Sequence, residues 1–210
     1  MVIILAAYIS APFPGSAESV LASTAHQGGV RGGVPCAVPS PECPDAVAAM
    51  PATGGWYKWL VGRYRFNVEA PGFWTGEYDL NVDGLRGHTY IYQDAEQYAS
   101  VNAILVQPDV GAKATLATAI KSSRSQIERE LGAVSGSANA PTFVHDHNGS
   151  VGSLSFSQYR VSATDQNGNV RGVMRFHSSG RYVYVLSYFS GTPGDQREKR
   201  FFESFEVRKP

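Results

Sequence analysis

Apolar and polar residues alternate most clearly in residues 170–176 (VRGVMRF), where the even positions are Val, Gly, Met or Phe and the odd positions include two arginines. Alternate side chains of a strand point to opposite faces, so this pattern predicts a half-buried strand. Residues 181–189 (RYVYVLSYF) are mostly apolar at both odd and even positions, which is typical of a central strand covered on both faces. The Ser-Ser-Gly between the two runs ends at Gly180, which tolerates positive φ, and therefore predicts a tight hairpin.

Two segments carry a helical pattern. In residues 113–131 the large apolar residues recur at intervals of four and seven, which predicts an amphipathic helix that ends at Gly132. After the hairpin, Thr192 is a suitable N-cap and Pro193 a suitable first residue for a second helix. This helix is predicted to lie on the sheet through its phenylalanines, Phe201, Phe202 and Phe205.

Strand-like runs occupy residues 56–68, 77–82, 88–93 and 98–106 before the long helix, and residues 154–163 after it. Turn signals such as Asp83-Gly84 separate them. The predicted order is four strands, a long helix, three strands and a terminal helix. Hairpins imply antiparallel pairing, and two amphipathic helices imply that the sheet is covered. We therefore predict an α+β fold, an antiparallel β-sheet sandwiched by a long helix and a C-terminal helix.

The pattern divides the chain into three parts. Residues 2–9 (VIILAAYI) followed by small residues indicate the hydrophobic part of a secretory signal, although a basic segment before it is missing. Such a run is too short to span a bilayer. Residues 1–17 are therefore predicted to be a signal segment, residues 18–55 a flexible Gly/Pro/Ala-rich arm, and residues 56–210 a single domain. The expected location is secreted, periplasmic or lumenal.

Charge and cysteine content narrow the classes of function. Eighteen basic and eighteen acidic residues leave no net charge, which gives no reason to expect nucleic acid or an anionic membrane as a partner. Cys36 and Cys43 lie in a Pro-rich stretch and would close a small disulfide loop in an oxidising compartment. The alternative is a pair of free thiols in a disordered arm. A zinc site would need more ligands than this stretch offers.

Two segments resemble a known family. YRFNVEAPG at residues 64–72 resembles the opening of the PsbP-like family, named for an extrinsic lumenal subunit of photosystem II. The closing hairpin and helix of that family are similar to two later runs of this chain, RGVMRFHSSGRYVYVLSYFSGT and DQREKRFFESFEV. The resemblance covers residues 56–207 and implies an α/β/α sandwich, export, and a binding or assembly role without known catalysis or a cofactor. Residues 12–55 do not match the N-terminal binding segment of the photosystem protein, so photosynthesis is not implied.

His145 and His147, which flank an aspartate, are the candidate metal ligands. Alternate residues of an extended segment would project both imidazoles to one side, and His88 or His177 could complete the site. The alternative is a polar loop with a turn directly after His147. A metal-dependent hydrolase using this pair is therefore the second hypothesis for function.

No serine lies in a nucleophile elbow, and the glycine-rich residues 28–33 lack the lysine of a phosphate loop. The aromatic residues Trp56, Phe73 and Trp74 are candidates for a binding surface, with core packing as the alternative. The favoured hypothesis is a non-catalytic exported binding or assembly domain whose partner is another protein. A third hypothesis is that the domain stabilises a larger assembly through its arm.

Overall fold

The computed structural model describes residues 47–94, 96–134, 141–165, 168–190 and 196–208. It confirms the predicted α+β class. The predicted signal segment, most of the arm, both cysteines (Cys36 and Cys43) and the predicted cap at Thr192-Pro193 lie outside these residues. In chain order the elements are β1 (Val47–Pro51), β2 (Tyr57–Val61), β3 (Phe66–Ala70), β4 (Gly76–Val82), β5 (Leu85–Gln93), β6 (Gln97–Leu105), α1 (Gly111–Val134), β7 (Thr142–Val151), β8 (Leu154–Asp165), β9 (Gly168–Ser178), β10 (Tyr182–Ser190), α2 (Gln196–Glu203) and β11 (Glu206–Val207).

Within the described residues the strands form two antiparallel sheets rather than the single predicted one. The large sheet has the order β4-β5-β6-β10-β9-β8-β7, and the small sheet has the order β1-β2-β3-β11. Residues Val47–Pro51 lie in the stretch predicted to be a flexible arm, yet they pair with β2 along its whole length. The folded part therefore begins before residue 56. The run at residues 56–68 is divided into β2 and β3 by a turn in which the Arg65 amide donates to the Gly62 carbonyl at 3.0 Å.

The closing hairpin forms as predicted. β9 pairs with β10 from Ser178 opposite Val183, and Gly180 in the turn has a φ of 81°. β10 lies between β6 and β9, and all of its residues are buried. The prediction of a central strand covered on both faces is therefore confirmed. The Asp83-Gly84 turn also forms, with positive φ at both residues.

The two faces of the large sheet are covered differently. α1 packs on one face, where Ala119 and Ile127 are buried with Val183 and Val185, and we call this the helix-side core. α1 extends to Val134, beyond the predicted end at Gly132. Gly132 does not stop the helix, since a glycine inside a helix costs only about 1 kcal/mol. The other face meets the small sheet and α2 around a second apolar cluster, which we call the inter-sheet core. Its aromatic residues with at most 1% of their surface exposed are Trp59, Phe66, Tyr90, Tyr184, Tyr188, Phe201, Phe202 and Phe205.

The phenylalanines of the carboxyl-terminal segment point inward as predicted. Phe201, Phe202 and Phe205 are at most 1% exposed, and they fill the space between the two sheets. The Ser204 hydroxyl accepts a hydrogen bond from the Glu69 amide at 2.8 Å, which ties the end of α2 to β3. Within the described part of the chain, no helix has both the length and the apolar character needed to cross a bilayer.

Candidate functional site

The predicted binding residues Phe73 and Trp74 lie in the loop between β3 and β4, where they meet Tyr57 of β2. The ring centroid of Phe73 is 4.5 Å from that of Trp74 and 6.2 Å from that of Tyr57. Half of the Phe73 surface is exposed, whereas Trp74 and Tyr57 are partly buried. We call Tyr57, Phe73 and Trp74 the aromatic patch. It is a small apolar surface with one prominent ring.

Hydrogen bonds and packing hold the loop that carries the aromatic patch. The Trp59 indole N–H donates to the Gly72 carbonyl at 3.0 Å, and the Tyr92 ring occupies the space that a Cβ on Gly72 would need. On the other side of the loop, the Thr75 amide donates to the Ile91 carbonyl at 2.6 Å. These contacts fix the backbone on both sides of Phe73. The exposed ring is therefore presented on a preorganised loop.

Trp74 joins the patch to the interior. Its ring lies edge-on to Trp59, with centroids 5.9 Å apart, and 6.0 Å from the ring of Tyr90. Both neighbours are completely buried in the inter-sheet core. Because aromatic contacts of this geometry are attractive beyond the area they bury, they anchor the patch to the inter-sheet core.

Trp56, the third predicted binding residue, has a different environment. Only 8% of its surface is exposed, and the Arg200 guanidinium lies over its ring at 4.5 Å. Arg200 also forms an ion pair with Glu69 at 2.7 Å and donates to the Thr53 carbonyl at 3.0 Å. Trp56 thus fastens the segment before β2 to α2. Little of its ring remains accessible to a partner.

The two candidate metal ligands do not share a side of their strand. β7 carries a β-bulge, and the register places His145 opposite Tyr159 but His147 opposite Gln158. Adjacent residues of β8 point to opposite faces, so the imidazoles do as well. The ring centroid of His145 lies 5.3 Å from that of Tyr159, whereas the ring centroid of His147 lies 5.6 Å from that of Phe156. The prediction that both project to one side is wrong because the bulge inserts an extra residue between them.

The carboxylate of Asp146, the bulged residue, is already occupied by protein donors. It accepts hydrogen bonds from Arg160 Nε at 2.9 Å, Gln158 Nε2 at 2.8 Å and His147 Nδ1 at 2.9 Å. The Arg160 guanidinium holds the pKa of this carboxyl well below its usual range. The alternative prediction of a turn after His147 is also wrong, because β7 continues to Val151. Among the residues that the structure describes, no cluster of three or more His, Cys, Asp or Glu side chains could hold a metal ion.

The other two histidines lie in separate environments. His177 is completely buried in the inter-sheet core, and neither of its ring nitrogens has a partner among the described residues. Burial, with a further effect of Arg175, lowers its pKa to about 3. His88 lies on β5, near the opposite edge of the large sheet from β7. It therefore cannot join a site with His145 or His147.

Sequence reasoning missed the cluster around His88. Its Nε2 lies 2.8 Å from a Glu77 carboxylate oxygen and its Nδ1 lies 3.1 Å from Asp79. The Tyr64 ring, from the turn between β2 and β3, stacks on the imidazole, with centroids 6.0 Å apart and planes at 20°. Glu77 and Asp79 alternate in a strand, so their common face could have been predicted. The contact with Tyr64 depends on how the two sheets meet.

Comparisons with known proteins assign no family. No family of known proteins matches the sequence, and no curated protein sequence matches it. The solved structure of LpqN, involved in cell envelope biogenesis of Mycobacterium tuberculosis, is similar over 79% of this chain and 86% of its own, with 14% identity and a TM-score of 0.34. A Bacteroides thetaiotaomicron protein is similar over 69% of this chain and 46% of its own, with 13% identity and a TM-score of 0.37. The chain thus spans less than half the length of that protein. Similarities this low establish no function.

Proposed function

We propose that this chain is a non-catalytic, exported binding or assembly domain, that its partner is another protein, and that the aromatic patch is the contact surface. The observation that carries the proposal is Phe73, half exposed on a loop fixed from both sides. Aromatic residues are enriched where proteins meet. A surface that is ordered before binding loses less conformational entropy when the partner arrives.

The sequence supports the remaining parts of the proposal. The apolar run at residues 2–9 supports export, and the PsbP-like resemblance of residues 64–72 and 171–207 supports a binding role with no cofactor. A location outside the cytoplasm follows from the same two features. A hydrolase that uses His145 and His147 would need both imidazoles on one metal ion. The bulge in β7 directs them to opposite faces, so we propose binding rather than hydrolysis.

Site-specific photo-crosslinking in the native host tests this proposal. p-Benzoylphenylalanine at position 73 should give covalent adducts with a partner protein, which mass spectrometry would identify. Tyr78 is the matched control, because it is an aromatic residue with 47% of its surface exposed but has no ring contact with the patch in the described structure. The same analogue at position 78 should give no such adduct.

The partner identified in this way allows a quantitative test. Phe73→Ala should weaken its binding by about 30-fold, the effect of removing an aromatic hot spot worth about 2 kcal/mol. Tyr78→Ala should leave the affinity unchanged. Equal adduct yields at positions 73 and 78, or equal affinities of the two alanine variants, would remove the aromatic patch as the contact surface.

A further inference from the structure

Arginines from separate parts of the sequence lie together at one end of the inter-sheet core. Arg63 and Arg65 lie in the turn between β2 and β3, Arg181 directly precedes β10, and Arg208 directly follows β11. Arg63 and Arg181 are exposed, whereas Arg65 and Arg208 are partly buried. We call these residues the arginine cluster.

Hydrogen bonds of the fold hold these segments next to one another. The Tyr182 hydroxyl donates to the Arg63 carbonyl at 3.2 Å, and the Arg208 amide donates to the Arg65 carbonyl at 2.8 Å. The Arg181 guanidinium lies 5.5 Å from the centre of the Tyr182 ring. The start of β10, the turn between β2 and β3 and the residue after β11 are therefore joined at this point through their backbones, and each segment carries at least one arginine.

Arg63 is the member of the cluster that lies nearest to negative charge, because its guanidinium hydrogen-bonds the Tyr64 side chain, which also interacts with Asp79. Within the described ranges, no carboxylate forms an ion pair with any of these arginines. Glu77 and Asp79, which lie close to Tyr64 of the same turn, both contact His88 instead. The whole chain has 18 basic and 18 acidic residues, so unpaired positive charge at one end is a local feature of the fold.

One further observation supports a ligand at the cluster. Arg208 Nε is buried and has no acceptor in the described part of the chain, and a buried donor without a partner is costly. The positive φ of Arg65, 55°, belongs to the turn that joins β2 and β3, where the Arg65 amide donates to the Gly62 carbonyl.

We propose that the arginine cluster binds a phosphate group or an equivalent multiply charged oxyanion. Guanidinium groups donate paired N–H bonds to such oxygens, and these charge-assisted bonds are stronger than neutral ones. An anion at this place would neutralise the unpaired charge and supply an acceptor to Arg208. A phospholipid headgroup and a soluble phosphate compound share this chemistry. The proposal does not depend on the aromatic patch.

The test compares two double variants that remove the same charge. Arg63→Gln/Arg181→Gln removes the two exposed members of the cluster, and Lys121→Gln/Arg129→Gln removes two exposed cations of α1. The probes are inorganic phosphate and pyrophosphate, followed by calorimetry, and vesicles of phosphatidylglycerol in phosphatidylcholine, followed by co-sedimentation. The cluster variant should lose at least about tenfold in affinity, as expected for lost hydrogen bonds to a charged group. The α1 variant should bind like the wild type.

The two probes distinguish the source of the phosphate group. Binding of the soluble anions without the vesicles supports a soluble ligand, and binding of the vesicles alone supports a lipid headgroup. Arg63→Lys keeps the charge but loses the planar fork, so it should bind more weakly than the wild type and more tightly than Arg63→Gln. Nuclear magnetic resonance of the wild type adds a readout without substitution, because the Nε–H signals of the cluster arginines should shift on titration. No saturable binding to any probe, or equal losses in the two double variants, would overturn the proposal.

Discussion

The two faces of the large sheet are packed with different chemistry. The helix-side core contacts α1 mainly through aliphatic side chains, whereas the inter-sheet core contacts the small sheet and α2 mainly through aromatic ones. Two of the tyrosines among these aromatics donate to the turn between β2 and β3 of the small sheet, Tyr182 to the Arg63 carbonyl at 3.2 Å and Tyr184 to the Tyr64 carbonyl at 2.8 Å. Aliphatic contacts close a face, but tyrosines also fix how two sheets are positioned relative to each other.

This difference explains where the proposed sites lie. Trp74 of the aromatic patch and Tyr182 beside the arginine cluster both belong to, or pack against, the inter-sheet core. The edge of the inter-sheet core carries partly exposed rings such as that of Trp74, whereas the helix-side core is covered by α1. We therefore expect changes in the inter-sheet core to affect both stability and binding, and changes under α1 to affect stability alone.

The largest expected effect is the loss of a ring from the inter-sheet core. Phe205 contacts Phe66, Tyr184 and His177, with ring centroids within 5.9 Å, and it is 1% exposed. Phe205→Ala should reduce the free energy of unfolding by about 3–5 kcal/mol, whereas Ile127→Val under α1 should cost about 1 kcal/mol. Urea denaturation of the purified proteins measures both. Because Phe205→Ala removes far more buried volume than Ile127→Val, the contradicting result is a loss below about 2 kcal/mol for Phe205→Ala.

Acid should weaken the inter-sheet core through His177. Its pKa falls from 6.5 to about 3 on folding, chiefly because of burial. Between these values the unfolded state holds the extra proton, so stability is complete above pH 6.5 and is lost as the pH falls towards 3 at about 1.4 kcal/mol per pH unit. His177→Leu removes this pH-dependent loss of stability.

Denaturation at pH 7 and at pH 4.5 checks this expectation. Between the two pH values the wild type should lose about 2–3 kcal/mol more than His177→Leu. Other groups titrate in both proteins, so the difference isolates His177. Parallel losses in the two proteins would mean that this histidine becomes protonated without disturbing the core.

The smallest expected effect separates two buried tyrosines of the same layer. Tyr184→Phe removes the hydrogen bond to the Tyr64 carbonyl and should cost about 1 kcal/mol. The Tyr90 hydroxyl is buried without a partner in the described residues, so Tyr90→Phe should leave stability unchanged or raise it slightly. Thermal unfolding of both variants gives the comparison. A greater loss in Tyr90→Phe than in Tyr184→Phe would indicate that the hydroxyls do not link the sheets as described.

Much of the large sheet could be predicted from the sequence because its strands have patterns of apolar and polar residues that are typical of strands. β9 alternates, β10 is apolar throughout, and the Gly180 turn joins them, so local signals and tertiary structure agree. β1 carries no such signal, because Val47–Pro51 is a short alanine-containing segment within a Pro-rich stretch. Its strand conformation depends on pairing with β2. The small sheet was therefore not predicted.

The candidate sites also include features that the local sequence predicts and features that only tertiary contacts decide. The loop position of Phe73 and Trp74 could be predicted because they follow Pro71-Gly72, a local loop signal, although the contacts that fix this loop come from β2 and β5. The opposite orientations of His145 and His147 could not be predicted, because a bulge is set by the register with the neighbouring strand. The arginine cluster combines positions that are distant in sequence, so no motif marks it.

The order of residues by itself determined the hairpins, the amphipathic helices and the inward direction of the terminal phenylalanines. These features follow from steric rules and from the burial of apolar surface, which act over a few neighbouring residues. Only the tertiary structure decided that a second sheet covers the aromatic face, which way the histidines of β7 point, and which arginines meet at one end. Those outcomes require contacts between distant segments, and such contacts exist only after the sheets have packed.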